Sequence, residues 1–278
     1  MKKELLILLL VFSQVVVYAQ QDAWVYLTDK EDVAFSISNP ITILKQQSIN
    51  RKNSQGIPID ERDVPVSETY ISLLKNQTGI TVLAKSKWFN AVHVRGSETD
   101  ISSLEVLSFV DRIDFADQTL NRSGRTFSQH NKFDQVEARI EFNYGTTQNQ
   151  IEMIQLDDLH FLDFTGEGII ITVLDSGFPN VNTMSSFQRL RSNNDLLNGY
   201  DFVSRSQNVY GFAGSNHGTK VLSDMAGFVQ DQFVGTAPDA SYYLFRTEDV
   251  TSENPVEESY WVEAAERADS LGVHIINS

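Results

Sequence analysis

Apolar positions are spaced differently in the two halves of this chain. In residues 23–117 they come in short bursts. A brief strand is read at 25–27, and a helix at 68–75 with Tyr70, Leu73 and Leu74 at helical spacing, ending before Gly79. Strands at 80–84 and 91–94 are rich in β-branched residues and joined through KSKWFN. A second helix, capped by Thr99 or Asp100, runs through Leu107, and a last strand covers 110–115. This order predicts a small α+β domain over residues 23–117, with antiparallel strands backed by helices on one face. Residues 118–150, with TLNRSGRTFSQHNKFDQ and YGTTQNQ, have few apolar positions to bury and read as an exposed polar linker.

Beyond the linker, residues 151–278 form a second domain. A helix at 151–162 is followed by the turn TGEG and then by IIITVL, an uninterrupted apolar run of strand length. Such a run marks a strand covered on both faces, hence a parallel sheet in an α/β domain. Further strands are read at 199–203 and 241–246, and a helix at 217–227 buries Val221, Leu222, Met225 and Ala226. Near the end, Asn254, Pro255 and Glu257 form a variant capping box, and Gly272 stops the helix they start. Val256, Tyr260, Trp261, Ala264, Ala265, Ala268 and Leu271 make its apolar face, and VHIIN follows as another buried strand. Strand, helix, strand implies a right-handed crossover, and functional groups of such sheets gather at the carboxyl ends of the strands.

The extreme N-terminus carries Lys2 and Lys3, an apolar run over residues 5–17, and a small-residue site at Ala19 before QQD. That pattern is a secretory signal peptide, residues 1–19, and it implies an exported, secreted or cell-surface protein with no membrane span after cleavage. With 22 Lys and Arg against 37 Asp and Glu the formal net charge is -15, which disfavours nucleic acid and anionic membrane as partners. There is no cysteine, so neither a disulfide framework nor a thiol nucleophile is available. No Gly-x-Gly-x-x-Gly follows a predicted strand, which argues against a dinucleotide-binding domain.

The candidate chemistry lies where the strand IIITVL meets Asp175-Ser176-Gly177. An aspartate there can cap a turn, bind a metal or orient a histidine. Forty-two residues on, SNHGTK places His217 at the start of a predicted helix, whose positive end favours the neutral imidazole that a general base requires. Lys220 and Asp224 do not complete a zinc motif with it.

Taken together, Asp-Ser-Gly after an apolar strand, Asn-His-Gly-Thr at a helix start and the segment GTAPDA at 235–240 resemble the subtilase family, the subtilisin-like serine proteases, over residues 159–278. The resemblance implies a doubly wound parallel α/β sheet and peptide-bond hydrolysis through an Asp/His/Ser triad. Asp175 would hold the imidazole tautomer and His217 would deprotonate the serine. It further implies that residues 23–117 are a propeptide, an intramolecular partner that assists folding and blocks the site, and that the substrate is a polypeptide. Two departures stand out. Lys220 replaces a second histidine common in the family, at a position that does not supply the base. The family's Gly-Thr-Ser-x-Ala nucleophile segment is absent from this chain, which ends in IINS. Neither Ser278 nor Asn277 is assigned the nucleophile or oxyanion role, since both lie at a strand end.

The expectation is therefore a secreted protease zymogen represented by its N-terminal portion, inactive as given. Its alternative is a non-catalytic secreted binding or surface module on the same frame. In that alternative Glu248, Asp249, Glu253, Glu257 and Glu258 offer themselves to a cation or basic peptide, although capping explains Glu257 and the helix dipole explains Glu258. No cofactor is required; calcium is compatible with such a protein, but no ligand spacing identifies a site.

Overall fold

A computed structural model describes residues 20–121, 142–252 and 254–278. Residues 1–19, read above as a signal peptide, most of residues 118–150, read as a linker, and Glu253 lie outside the described residues.

The first unit is built from β1 (Gln20–Leu27), α1 (Val33–Ser38), α2 (Gln46–Gln55), α3 (Glu68–Lys75), β2 (Thr81–Ser86), β3 (Ala91–Ser97), α4 (Glu98–Ser102) and β4 (Val110–Phe115). Its strands form one antiparallel sheet in the order β2-β3-β1-β4. Ile71 and Leu74 of α3, with Ile101 and Leu104, pack on Val25, Val92 and Val94 to close a core on one face of this sheet. Helix α3 starts where expected because the Ser67 hydroxyl accepts the Tyr70 N–H at 3.1 Å. The next helix is capped by Ser97, which accepts the Asp100 N–H, rather than by Thr99 or Asp100, and after one turn it tightens to a 3₁₀ stretch, Ser103–Val106.

In the second unit, α5 (Gln148–Met153) and α6 (Leu156–Phe161) replace the single helix read at 151–162. Gln155 between them is left-handed, with φ 56°, and interrupts the turn-to-turn hydrogen bonding. Then come β5 (Ile170–Asp175), α7 (Gln188–Ser192), β6 (Leu196–Asp201), α8 (His217–Ala226), a two-stranded hairpin of β7 (Phe228–Val229) and β8 (Phe233–Val234), β9 (Ser241–Arg246), α9 (Val256–Leu271) and β10 (Ile275–Asn277). The main sheet is parallel throughout, in the order β10-β5-β9-β6. Ile171, Val173, Tyr242 and Leu244 pack with Leu222 and Ala226 of α8. Leu174 and Phe245 point the other way and pack with Ala264 and Ala268 of α9. Burial on both faces is what an uninterrupted apolar strand requires.

The N-terminal sheet turns its second face toward α9. The carboxylate of Glu266, only 6% exposed, accepts from the Ser86 hydroxyl at 2.5 Å and from the N–H groups of Lys87 at 2.9 Å and Trp88 at 3.0 Å. Glu263 accepts the Lys85 N–H at 2.9 Å and also pairs with Arg205. Burial raises the pKa of Glu263 above the usual carboxylate value, against the pull of Arg205. Further along the helix, Arg51 and Lys52 of α2 reach Asp269, and the Ser48 hydroxyl donates to its carbonyl. His93 of β3 sits between Ser259 of α9, at 2.6 Å, and Asp22 of β1, at 3.0 Å. Helix α2 has no apolar stripe because its buried residues, Ser48 and Lys52, face these polar groups of α9. Among the described residues no helix is long and apolar enough to cross a membrane.

Candidate functional site

Three adjacent strands of the parallel sheet each end in a charged residue: Asp175 on β5, Arg246 on β9 and Asp201 on β6, aligned in register. Arg246 and Asp201 are each 2% exposed and face one another at 3.1 Å. The same guanidinium donates to the Ser176 carbonyl at 3.0 Å and stacks 3.6 Å above the Phe212 ring. Arg246 is thus committed to Asp201 and to the turn after β5, which leaves the Asp175 carboxylate for another partner.

That partner is His217. Its Nδ1 lies 2.8 Å from Asp175 Oδ2 and 3.0 Å from Oδ1, and donates to the carboxylate. Asp175 is 4% exposed, whereas the His217 side chain is 67% exposed. Among the described residues no hydrogen-bond partner stands at His217 Nε2. Ser176 supports the pair by donating its N–H to Asp175 Oδ1 at 2.6 Å and its hydroxyl at 3.0 Å. The Ser176 hydroxyl also lies 2.8 Å from that of Ser215, which accepts the His217 N–H at 3.2 Å.

The start of α8 is fixed against the turn that ends β5. Thr219 donates its N–H to Gly177 O at 3.2 Å and its hydroxyl to Pro179 O at 3.0 Å. Gly218 permits the close approach: a Cβ there would stand 2.6 Å from Phe178 Cε1 and 2.9 Å from Asp175 Cβ. The two residues singled out in the sequence are therefore brought together, with the buried carboxylate below and the imidazole facing solvent. Sequence reasoning passed over Ser215, Asp201 and Arg246. A readable signal existed for Arg246, the charged last residue of the strand read at 241–246, whereas Asp201 fell in the middle of the strand read at 199–203 and ends β6 only in the structure.

Asn277, on β10, is in register with Val173, two positions short of Asp175. The Ser278 hydroxyl accepts from Trp261 Nε1 at 2.8 Å. No group of three or more His, Cys, Asp or Glu among the described residues could hold a metal ion, so nothing identifies a calcium site.

Residues 22–133 match the family model described as the peptidase S8 propeptide domain of Bacteroidota. The chain carries an S8 propeptide domain. No curated protein matches the chain. Among solved structures, the epidermin leader peptide processing serine protease EpiP from Staphylococcus aureus is 10% identical. The match covers 92% of this chain and 49% of that one, with a TM-score of 0.50, a likeness of fold alone. MycP1 with its N-terminal propeptide removed is 24% identical over 46% of this chain and 36% of that one, with a TM-score of 0.34, too low to carry an argument. The chain spans half or less of the length of these structures. These findings place an S8-type propeptide N-terminal to the α/β unit that holds Asp175 and His217.

Proposed function

We propose that the protein is the precursor of an exported subtilisin-like serine endopeptidase, with a doubly wound catalytic sheet of which residues 151–278 supply the Asp/His half. The observation that carries this reading is the bond from His217 Nδ1 to the buried Asp175 carboxylate at 2.8 Å. A proton held on Nδ1 leaves the Nε2 lone pair free, and the exposed ring directs it toward solvent. There it can take a proton from an attacking serine hydroxyl and later return it to the leaving amine, while Asp175 stabilises the imidazolium formed in between. In this reading no residue of 1–278 is assigned as the nucleophile, and the Asp/His pair without one turns nothing over.

In the same reading, residues 23–117 are the propeptide, seated on α9 through Glu263, Glu266 and Asp269. A protease precursor requires such a detachable inhibitor, and a polar, carboxylate-centred contact suits a partner that must leave.

The test is fluorophosphonate labelling and peptide hydrolysis by the protein expressed from its complete reading frame. The expected result is one labelled serine, with labelling abolished in His217→Ala and kcat reduced on the order of 10⁴-fold in Asp175→Asn, where the wrong tautomer is held. Full activity in His217→Ala, or labelling at Ser278 of the 278-residue chain, would overturn the reading.

A further inference from the structure

Arg246 reaches past its ion pair into both pieces of chain that carry Asp175 and His217. On the Asp175 side, residues 246 and 247 hold two successive peptide planes. The Thr247 N–H donates to the Asp175 carbonyl at 3.0 Å, and Arg246 Nε donates to the Ser176 carbonyl at 3.0 Å. A peptide unit is planar, so fixing the Asp175 carbonyl also fixes the Ser176 N–H that shares its plane. That N–H, at 2.6 Å, and the Ser176 hydroxyl, at 3.0 Å, are the donors that hold Asp175 Oδ1.

On the His217 side, the guanidinium carbon lies 3.6 Å from the centre of the Phe212 ring, in the loop that leads into α8. This loop and the turn after Asp175 are packed without spare room: a Cβ on Gly177 would stand 2.5 Å from the Ser215 carbonyl oxygen and 3.3 Å from Phe212 Cδ1. Ser215 in turn accepts the His217 N–H through its hydroxyl. The guanidinium therefore touches both the turn that begins just after the acid and the loop that ends at the base.

Arg246 is also in register with Asp175 on the neighbouring strand, where an uncompensated guanidinium would compete for its carboxylate. Asp201 removes that competition. Arg246 Nη1 lies 3.1 and 3.3 Å from the two Asp201 oxygens and donates to the Ser204 hydroxyl at 3.2 Å, while the Ser204 N–H donates back to Asp201 at 2.7 Å. A buried ion pair is weak evidence of a stabilising role, since apolar residues of similar volume often serve as well. What this pair supplies is aim. A planar fork that stacks on a ring while donating from its edge is a property of arginine that lysine does not share.

We propose that Arg246, with its charge taken up by Asp201, is a positioning residue for the Asp175–His217 pair, fixing the turn that follows Asp175 and, through Phe212, the loop that delivers His217. The inference rests on the peptidase reading for its catalytic use and adds to it the side chains that aim the pair.

The test reads the pair directly in the 278-residue chain. With ring-¹⁵N-labelled histidine, the nitrogen shifts of the neutral His217 imidazole give the ratio of Nδ1–H to Nε2–H tautomers, a quantity that a loss of overall stability does not move. Arg246→Met combined with Asp201→Asn removes both charges together and leaves no buried charge unpaired. It should lower the ratio about tenfold, the size expected when one hydrogen bond to a charged group is lost. Phe212→Leu, at a half-buried position, should lower it several-fold, and Phe212→Tyr, which keeps the ring face, should retain the wild-type ratio. Arg246→Lys keeps a charge for Asp201 without the planar fork and should behave as the double variant does. A wild-type ratio in the double variant, in Phe212→Leu or in Arg246→Lys would overturn the proposal, and Phe212→Leu decides the matter if the double variant does not fold. Because no hydrolysis is read, a full-length protein that resists fluorophosphonate refutes the peptidase reading separately from these ratios.

Discussion

Replacing Glu266 by alanine should loosen the N-terminal sheet from α9 more than any other single change in that contact. The carboxylate receives three donors, from Ser86, Lys87 and Trp88, and two of these bonds are buried. A buried donor left without an acceptor costs about 1–3 kcal/mol. Two fully buried donors then cost roughly 2–6 kcal/mol, and water reaching the half-exposed Trp88 side lowers the net figure toward about 3 kcal/mol. That corresponds to an undocked population about 100-fold larger. Native-state hydrogen exchange on the full chain reads it at amides that do not touch Glu266. These are Lys45, whose N–H donates to Ser270 O at 2.9 Å, and Lys85, which donates to Glu263. Both should exchange on the order of 100-fold faster in the variant, while Leu174 in the centre of the second sheet keeps its protection. Unchanged exchange at Lys45 and Lys85 would refute the claim that this carboxylate holds the two units together. Glu266→Gln, which keeps two of the three acceptances, should fall between.

Breaking the buried Arg246–Asp201 pair with Asp201→Ala leaves a guanidinium without its charge partner, at about 3–5 kcal/mol, and calorimetry should show Tm lower by roughly 10 °C. Gly218→Ala drives a methyl into Phe178 and Asp175; it should cost about 1–3 kcal/mol in denaturant titration and lengthen the His217–Asp175 contact seen in a structure of the variant. His160 is fully buried between the Tyr144 hydroxyl, at 2.8 Å, and Thr236 O, at 3.0 Å, and burial lowers its pKa from the usual value. Its unfolded form binds the proton more readily, so its stabilising contribution is full above about pH 6.5 and is lost as pH falls through the lower folded value. The Tm of wild type should therefore drop more steeply below about pH 6.5 than that of His160→Gln.

Where a rule of spacing governed, the sequence was readable. Helix α3, β4 and β9 fall on the residues that apolar spacing and β-favouring composition indicated, although β9 also buries Arg246 at its carboxyl end. Asp175 and His217 were legible for another reason: each stands at a junction, strand to turn or loop to helix, where a polar group needs a specific cause. What stayed hidden was polar burial. Glu266 reads as a solvated helix residue until the sheet that covers it is present, and Ser48 and Lys52 read as the surface of a hydrophilic segment. Trp261 was assigned to the apolar face of α9, yet it is 41% exposed. His160 had no visible partner in sequence because Tyr144 lies on a stretch rich in Asn, Thr and Gln, and Thr236 contributes only its backbone. In each case the missing information was a long-range partner, which spacing along one segment does not encode.

The most direct test of the account is the tautomer of His217, read from the ¹⁵N shifts of its ring nitrogens above the pH at which the imidazole is protonated. With Nδ1 bonded to Asp175 at 2.8 Å, the proton should reside on Nδ1 and Nε2 should show the shift of an unprotonated nitrogen. Asp175→Asn should abolish that preference. A proton on Nε2 in the wild-type protein, or a mixture unaffected by Asp175→Asn, would contradict the assignment of His217 as a base oriented by Asp175.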